Sequence, residues 1–246
     1  MAKSETKKLK TIEPSLGSLT QRTYFTLLDA IINLQFKSGE LIRKSELRAS
    51  LRVSSLPISE TISRLAQEEL VEVFPQAGTY LARFSMDETM EGAFIREALE
   101  LAAIERLGRQ ISQEQIVLLR RNIRIQEVFV VDEDFRDFYG LDREFHKLLL
   151  AFTGFKKLTW FAETAWVNVD RARQLVLPVQ GRVADTLTEH QAIFQALKRR
   201  NPAASRAAMK AHLSRLMSFL TPLEKEHPEF FLQQTAWSGG CIWGVV

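Results

Sequence analysis

From Met86 onward, the apolar residues of this chain recur at intervals of three and four, and no stretch alternates. A period near 3.6 lines one face of a helix, whereas a sheet needs a period of two. Six helical segments follow, at about 87–109, 112–129, 133–152, 155–175, 182–200 and 202–220, with breakers at Gly154, at Pro178 with Gly181, and at Asn201-Pro202. Helices of this length joined by short connections form an antiparallel bundle.

The N-terminal third reads differently. Tyr24, Leu27, Leu28, Ile31, Ile32 and Leu34 mark a first helix that ends at Ser38-Gly39. A second fits Lys44–Leu51. A third begins at Ser54-Ser55 with Pro57 in its first turn and runs to about Glu69, burying Ile58, Ile62 and Leu65. Two β-type runs, Val71–Phe74 and Thr79–Phe84, then flank Pro75-Gln76-Ala77-Gly78 as a hairpin. Three helices and a hairpin make a winged helix-turn-helix. The expected fold is therefore mainly α: a mobile basic arm over 1–18, a winged helix over 19–84, a helical domain over 86–222 and a disordered tail over 228–246.

Composition narrows the setting. No apolar run approaches the roughly 20 residues that span a bilayer, and the basic start MAKSETKKLK has no apolar stretch behind it, so it is not a secretory signal. The lone Cys241 allows no internal disulfide and fits a reducing cytoplasm. Residues 1–83 hold 12 Lys/Arg against 9 Asp/Glu, while the remainder holds 21 of each. The excess positive charge thus lies with the winged helix.

Four polar groups sit where apolar ones belong. Asp142 and His146, four residues apart, share a helix face with Phe138, Phe145 and Leu149. His190 lies with Leu187, Ile193, Phe194 and Leu197, and His212 with Met209, Leu213, Leu216 and Phe219. Burying such groups without partners costs about 1–3 kcal/mol each. Hydrogen bonding within the core, or an Asp142–His146 ion pair, would satisfy them. So would one shared divalent ion, and three imidazoles with a carboxylate suit Zn²⁺, Ni²⁺, Mn²⁺ or Fe²⁺. His227, beside Pro228, lies past the last bundle helix and is outside this set.

Several segments together are similar to one family. IRKSELRASLRVSSLPISETISRLAQEELVEVFPQAGTYLARF, then IREALELAA, DREFHKLLLAFTGFKKL and TEHQAIFQALKRRNPAASRAAMKAHL, follow in family-like order and spacing. The chain resembles the GntR-type regulators of the FCD subgroup over about residues 20–221. The resemblance implies that Asp142, His146, His190 and His212 hold a metal, and that Arg96 faces the same pocket and grips an acid group. Asn168 and Arg171 are further candidates for the pocket wall. The implied effectors are small organic acids. Two departures stand out: Ser55 and Ser59 replace arginines that often contact DNA in the family, and Arg52 replaces the glycine of the helix-turn-helix turn.

A winged helix lays its third helix in the major groove of double-stranded operator DNA. Candidate contacts are Ser54, Ser55, Ser59, Thr61 and Arg64 on or before that helix. Arg43, Lys44, Arg48 and Arg52 would hold phosphates, and Gln76 and Thr79 lie at the wing tip. One copy would bind weakly, so a homodimer on a two-fold site is expected. The expected function is a ligand-responsive transcriptional repressor with no membrane partner. One alternative keeps the regulator but replaces the metal with a larger acyl-type ligand. A metal-dependent enzyme is the lesser alternative, because no further carboxylate or histidine stands out as a general base and a winged helix has no place in it.

Overall fold

The computed structural model describes Leu9, residues 17–176, Val179 and residues 181–232. Pro178, the arm before Gly17 other than Leu9, and Cys241 lie outside the described residues.

Helix α1 (Leu19–Ile32) starts where the Ser18 hydroxyl accepts from the Gln21 amide. α2 (Lys44–Leu51) and α3 (Ser55–Gln67) follow as the period predicts. The turn between α2 and α3 pivots on Arg52, at φ 54° and ψ 44°. This is the left-handed region, which explains why glycine suits this position and why arginine there costs of the order of 1 kcal/mol. Strands β2 (Val71–Phe74) and β3 (Gly78–Leu81) form the expected hairpin. A third strand, β1 (Leu41–Ile42), adds to β3, giving an antiparallel sheet in the order β1-β3-β2. Two residues are too few to show an alternation, so β1 has no sequence signal.

The helical domain comprises α4 (Met86–Gln110), α5 (Gln113–Val131), α6 (Phe135–Ala151), α7 (Lys156–Ala165), α8 (Val167–Val176), α9 (Arg182–Lys198) and α10 (Pro202–Glu226). Ser85 and Asn201 cap α4 and α10, and Ser112 with Gln115 forms a capping box on α5. Gly108 lets α4 pass the start of α10: a Cβ there would meet Pro202 Cα at 2.7 Å.

Two expectations need correction. The segment 155–175 is two helices that break at the buried Trp166, and the break turns α8 toward α1 and the linker. The final segment is also not all tail. Pro228–Phe230 forms a 3₁₀ turn, and Phe231 pairs in parallel with Phe84 of the linker. The Phe84 amide donates to the Phe230 carbonyl (3.0 Å) and the Leu232 amide to the Phe84 carbonyl (2.8 Å). Apolar burial drives this return: Phe84 and Phe231 pack with Ala172, Val176 and Leu220. No described helix is long and apolar enough to cross a membrane.

Candidate functional site

Asp142 and His146 on α6, His190 on α9 and His212 on α10 converge inside the bundle, all four buried, with one ligand atom from each lying within 4.8 Å of the others. His146 and His212 meet Nε2 to Nε2 at 3.1 Å. His190 Nε2 lies 3.3 Å and His146 Nε2 3.8 Å from the nearer oxygen of Asp142.

The outer nitrogens decide the chemistry. Each Nδ1 faces an oxygen: His146 that of Glu100 at 2.5 Å, His190 that of Gln126 at 2.8 Å, and His212 that of Glu189 at 2.7 Å. These oxygens accept, so each Nδ1 carries the proton and each Nε2 presents a lone pair to the centre. Lone pairs then oppose one another across 3.1 Å, and neither His190 Nε2 nor the Asp142 oxygen that faces it has a hydrogen-bond partner, while the other Asp142 oxygen pairs with Arg173. A hydrogen-bonded core network would not leave this arrangement. A cation at the centre satisfies it, and a carboxylate or amide oxygen behind each imidazole is the usual support of a metal-bound histidine. The residues therefore fit a divalent metal.

The electrostatics agree. Burial holds His146 below its ordinary value, even against the pull of Glu100. Burial and a neighbouring imidazole push His190 and His212 well below it. Each shift favours the neutral imidazole, the form that a metal ligand requires. Burial opposes ionisation of Glu100, but His146 and Arg96 hold its carboxyl down at about 2.

Around the cluster lie buried arginines. Arg96 Nε donates to Glu100 at 2.6 Å, and its guanidinium sits 5.0 Å from the Trp166 ring, while its Nη2 has no partner. Arg173 pairs with Asp142 and lies 3.6 Å from Asp170; Arg182 pairs with Glu189 at 3.2 Å. Two cavities open beside the cluster. One, of about 280 Å³, is lined by His146, Arg143, Lys147, Trp166, Asp170 and Arg173. The other, of about 30 Å³, is lined by His212, Arg96, Arg173 and Arg182.

Asn168 and Arg171, expected in the pocket wall, turn the other way. Arg171 donates to the Ala82 carbonyl at 2.8 Å, stacks over Phe84 at 4.6 Å and bonds Asn168, which donates to Glu88 at 2.7 Å. Gln174 donates to Asn33, just past α1. The break at Trp166 rotates this face of α8 onto the joint between the two domains, whereas Asp170 and Arg173 stay on the cavity side.

The expected DNA contacts divide. Arg43, Lys44, Arg48, Arg52, Ser54, Ser55 and Gln76 are exposed, and Ser59 is half-buried. Arg43 pairs with Glu46, and Arg64 is tied to Glu68 and stacked 3.5 Å over Tyr24. Thr61 and Thr79 are buried and cannot reach DNA. Thr61 falls on the same helical stripe as Ile58 and Leu65, and Thr79 points inward between β1 and β2.

Comparison with known proteins matches residues 19–81 to the bacterial regulatory proteins of the gntR family and residues 91–215 to the FCD domain. The chain belongs to the GntR family and carries an FCD domain. An HTH-type transcriptional regulator in an unstable DNA locus of Streptomyces ambofaciens is 30% identical over 87% of this chain and 89% of its own length. The HTH-type transcriptional repressor RspR of Escherichia coli K12 is 28% identical, over 91% of this chain and the whole of its own. Among solved structures, E. coli McbR/YncC superposes with a TM-score of 0.76 at 17% identity, over 85% of this chain and 99% of its own. This GntR chain is thus a transcriptional regulator with an N-terminal DNA-binding domain and a helical ligand-binding domain.

Sequence reasoning missed Gln126 and Glu189 behind the imidazoles, and Arg173 and Arg182 around them. Glu100, which supports His146 and pairs with Arg96, had no place among the expected site residues either. Glu189 precedes His190 directly, and Gln126 interrupts the apolar stripe of Ile116, Leu119 and Ile123, so both carried a signal. Glu100 and Glu189 are carboxylates at the site after all, but each is committed to an imidazole and an arginine.

Proposed function

We propose that this GntR-family protein is a homodimeric repressor whose hold on operator DNA responds to a small organic acid bound beside a divalent metal, with Asp142, His146, His190 and His212 as the metal ligands. The observation that carries the reading is the inward lone pair on all three imidazoles. Bound there, the ion would act as a Lewis acid that attracts a carboxylate oxygen.

Charge supports an anionic effector. Arg96, Arg173 and Arg182 face Glu100, Asp142, Asp170 and Glu189: three buried or nearly buried cations against four carboxylates. Arg143, in the cavity lining, also pairs with Asp170 at 3.1 Å, so a divalent ion leaves the group with a net positive charge that a carboxylate offsets. The unpartnered Nη2 of Arg96 offers it a charge-assisted hydrogen bond.

Helix α8 supports the coupling. Its Asp170 and Arg173 border the cavity, and its Arg171 and Gln174 hold the linker and winged helix. An effector that favours one position of α8 favours one placement of the DNA-reading domain, and it alters operator affinity only as far as it distinguishes the two. Repression is supported by the name of the E. coli relative. Dimerisation is supported by the apolar side chains that the adjoining α4 and α7 leave in water, Phe94 and Trp160 among them. A regulator of this kind works in the cytoplasm.

The test is the metal content of the full-length protein purified without chelator, beside His190→Ala, followed by carboxylic acids titrated into operator complexes. About one transition metal per chain, lost in the variant, supports the reading. Absence of metal from both proteins refutes it and redirects the search to acyl-type ligands. If operator binding ignores every acid while metal is present, the effector half fails.

A further inference from the structure

The leading edge of α3 combines three unusual features. Leu56 is 66% exposed, although Pro57 and Ile58 beside it are buried. Ser54, at the N-cap, makes no capping bond with its side chain, so its hydroxyl is left over. No lysine or arginine lies on α3 before Arg64, and Arg64 is held back by Glu68 and Tyr24. Glu60, the acidic residue nearest this edge, is tied to the Thr20 hydroxyl at 2.6 Å.

A guanine is read in the major groove chiefly by a bidentate arginine or lysine, and a thymine by an apolar side chain against its C5-methyl. This edge has no cation to read guanine. It offers an isobutyl group flanked by the hydroxyls of Ser54 and Ser55, with Ser59 one turn behind. The cations Lys44, Arg48 and Arg52 lie on α2 and the turn, where they can serve phosphates instead.

We infer that Leu56 is a specificity-determining residue that packs against the C5-methyl of a thymine, so each operator half-site carries a T under the first turn of α3. The inference rests on the reading of α3 as the DNA-reading helix. It differs from what arginines at positions 55 and 59 would read, because the discriminating group is a methyl rather than the guanine O6/N7 edge.

The experiment starts with a duplex selected from a random library by the full-length protein. Each thymine is then replaced singly by uracil, which removes only the C5-methyl, and binding is measured for the wild type and Leu56→Ala. At one thymine per half-site the wild type should bind about fourfold more weakly to the uracil duplex, the worth of one buried methyl. Leu56→Ala should bind the two duplexes equally. Its far-UV circular dichroism and metal content should match the wild type, since the side chain is exposed. A flat uracil scan for the wild type, or an unchanged uracil penalty in Leu56→Ala, overturns the assignment while leaving DNA binding intact. Failure of the library to yield any enriched sequence overturns the DNA-reading function itself, and the role of Leu56 with it.

Discussion

Asn122 sets the orientation of Gln126. The Asn122 amide nitrogen faces only acceptors, the Leu141 carbonyl at 3.0 Å and Glu144 at 3.4 Å, so its oxygen must face Gln126, whose nitrogen donates to it at 2.6 Å. The Gln126 oxygen is thereby left for His190. A backbone carbonyl that can only accept thus fixes, through two amides, which nitrogen of an imidazole is bare.

Gln126→Leu should break this relay with little change in volume. Metal affinity should fall about 10–100-fold, the usual effect of losing such a support, while Gln126→Glu, which keeps an acceptor, should retain it. Competition with a chelating dye measures both. Equal affinity in Gln126→Leu and wild type would remove the orienting role.

Stability in the presence of chelator should depend on pH through the same imidazoles. Their folded values lie below the ordinary 6.5 because burial disfavours the charged form. Above about pH 6.5 neither the folded nor the unfolded state takes up these protons. As pH falls below it, the unfolded chain binds them first, so stability is full above that point and is lost toward the folded values. With three groups the slope reaches up to about 4 kcal/mol per pH unit. Urea midpoints between about pH 7.5 and 5.5 check it, and His212→Phe should give a shallower fall.

Lys44→Ala, Arg48→Ala and Arg52→Ala should each weaken DNA binding on all sequences and lower the slope of log affinity against log salt by about 0.9. Thr61→Val and Thr79→Val should leave that slope unchanged, since both side chains are buried. Fluorescence anisotropy across a salt series separates the two groups.

Arg171→Met should uncouple the domains. It leaves the Ala82 carbonyl without its donor, at a cost of about 1–3 kcal/mol. Burial lowers the Arg171 guanidinium to about 10, so it stays charged at neutral pH, and Met, of similar length, removes that charge together with the hydrogen bonds to Ala82 and Asn168. The expected result is faster proteolysis near the linker with unchanged metal content. An unchanged digestion pattern would show that Phe84 and the C-terminal segment hold the joint alone.

The parts of this protein visible in its sequence are those that repeat. The periods of α4 to α6 and α9 match their boundaries closely, α10 starts at Pro202 as expected but runs six residues beyond 220 to Glu226, and the interruption of apolar faces by Asp142, His146, His190 and His212 picks out residues that do meet. Failures came where side-chain type was weighed above helical phase. Thr61 reads as a polar DNA contact until its spacing from Ile58 and Leu65 is counted. Asn168 and Arg171 were placed by extending one helix through Trp166, and a break there changes the face of every residue beyond it. Gln126 and Glu189 carry a sequence signal as polar residues on or beside apolar stripes, but which imidazole each supports depends on which helix lies opposite, and that is a property of packing.

The pairing of Phe84 with Phe231 also imposes an order on biosynthesis. Phe84 leaves the ribosome long before its partner, so the winged helix and much of the bundle can form while the linker between them still lacks its last contact. The bonds of α8 to Ala82 and Asn33 can form before then, and the docking of Phe231 adds the last described backbone bonds at the joint. A chain that stopped just after α10 would contain both domains and the Asp142, His146, His190 and His212 cluster yet lack the backbone bonds at the joint, leaving α8 alone to hold one domain against the other.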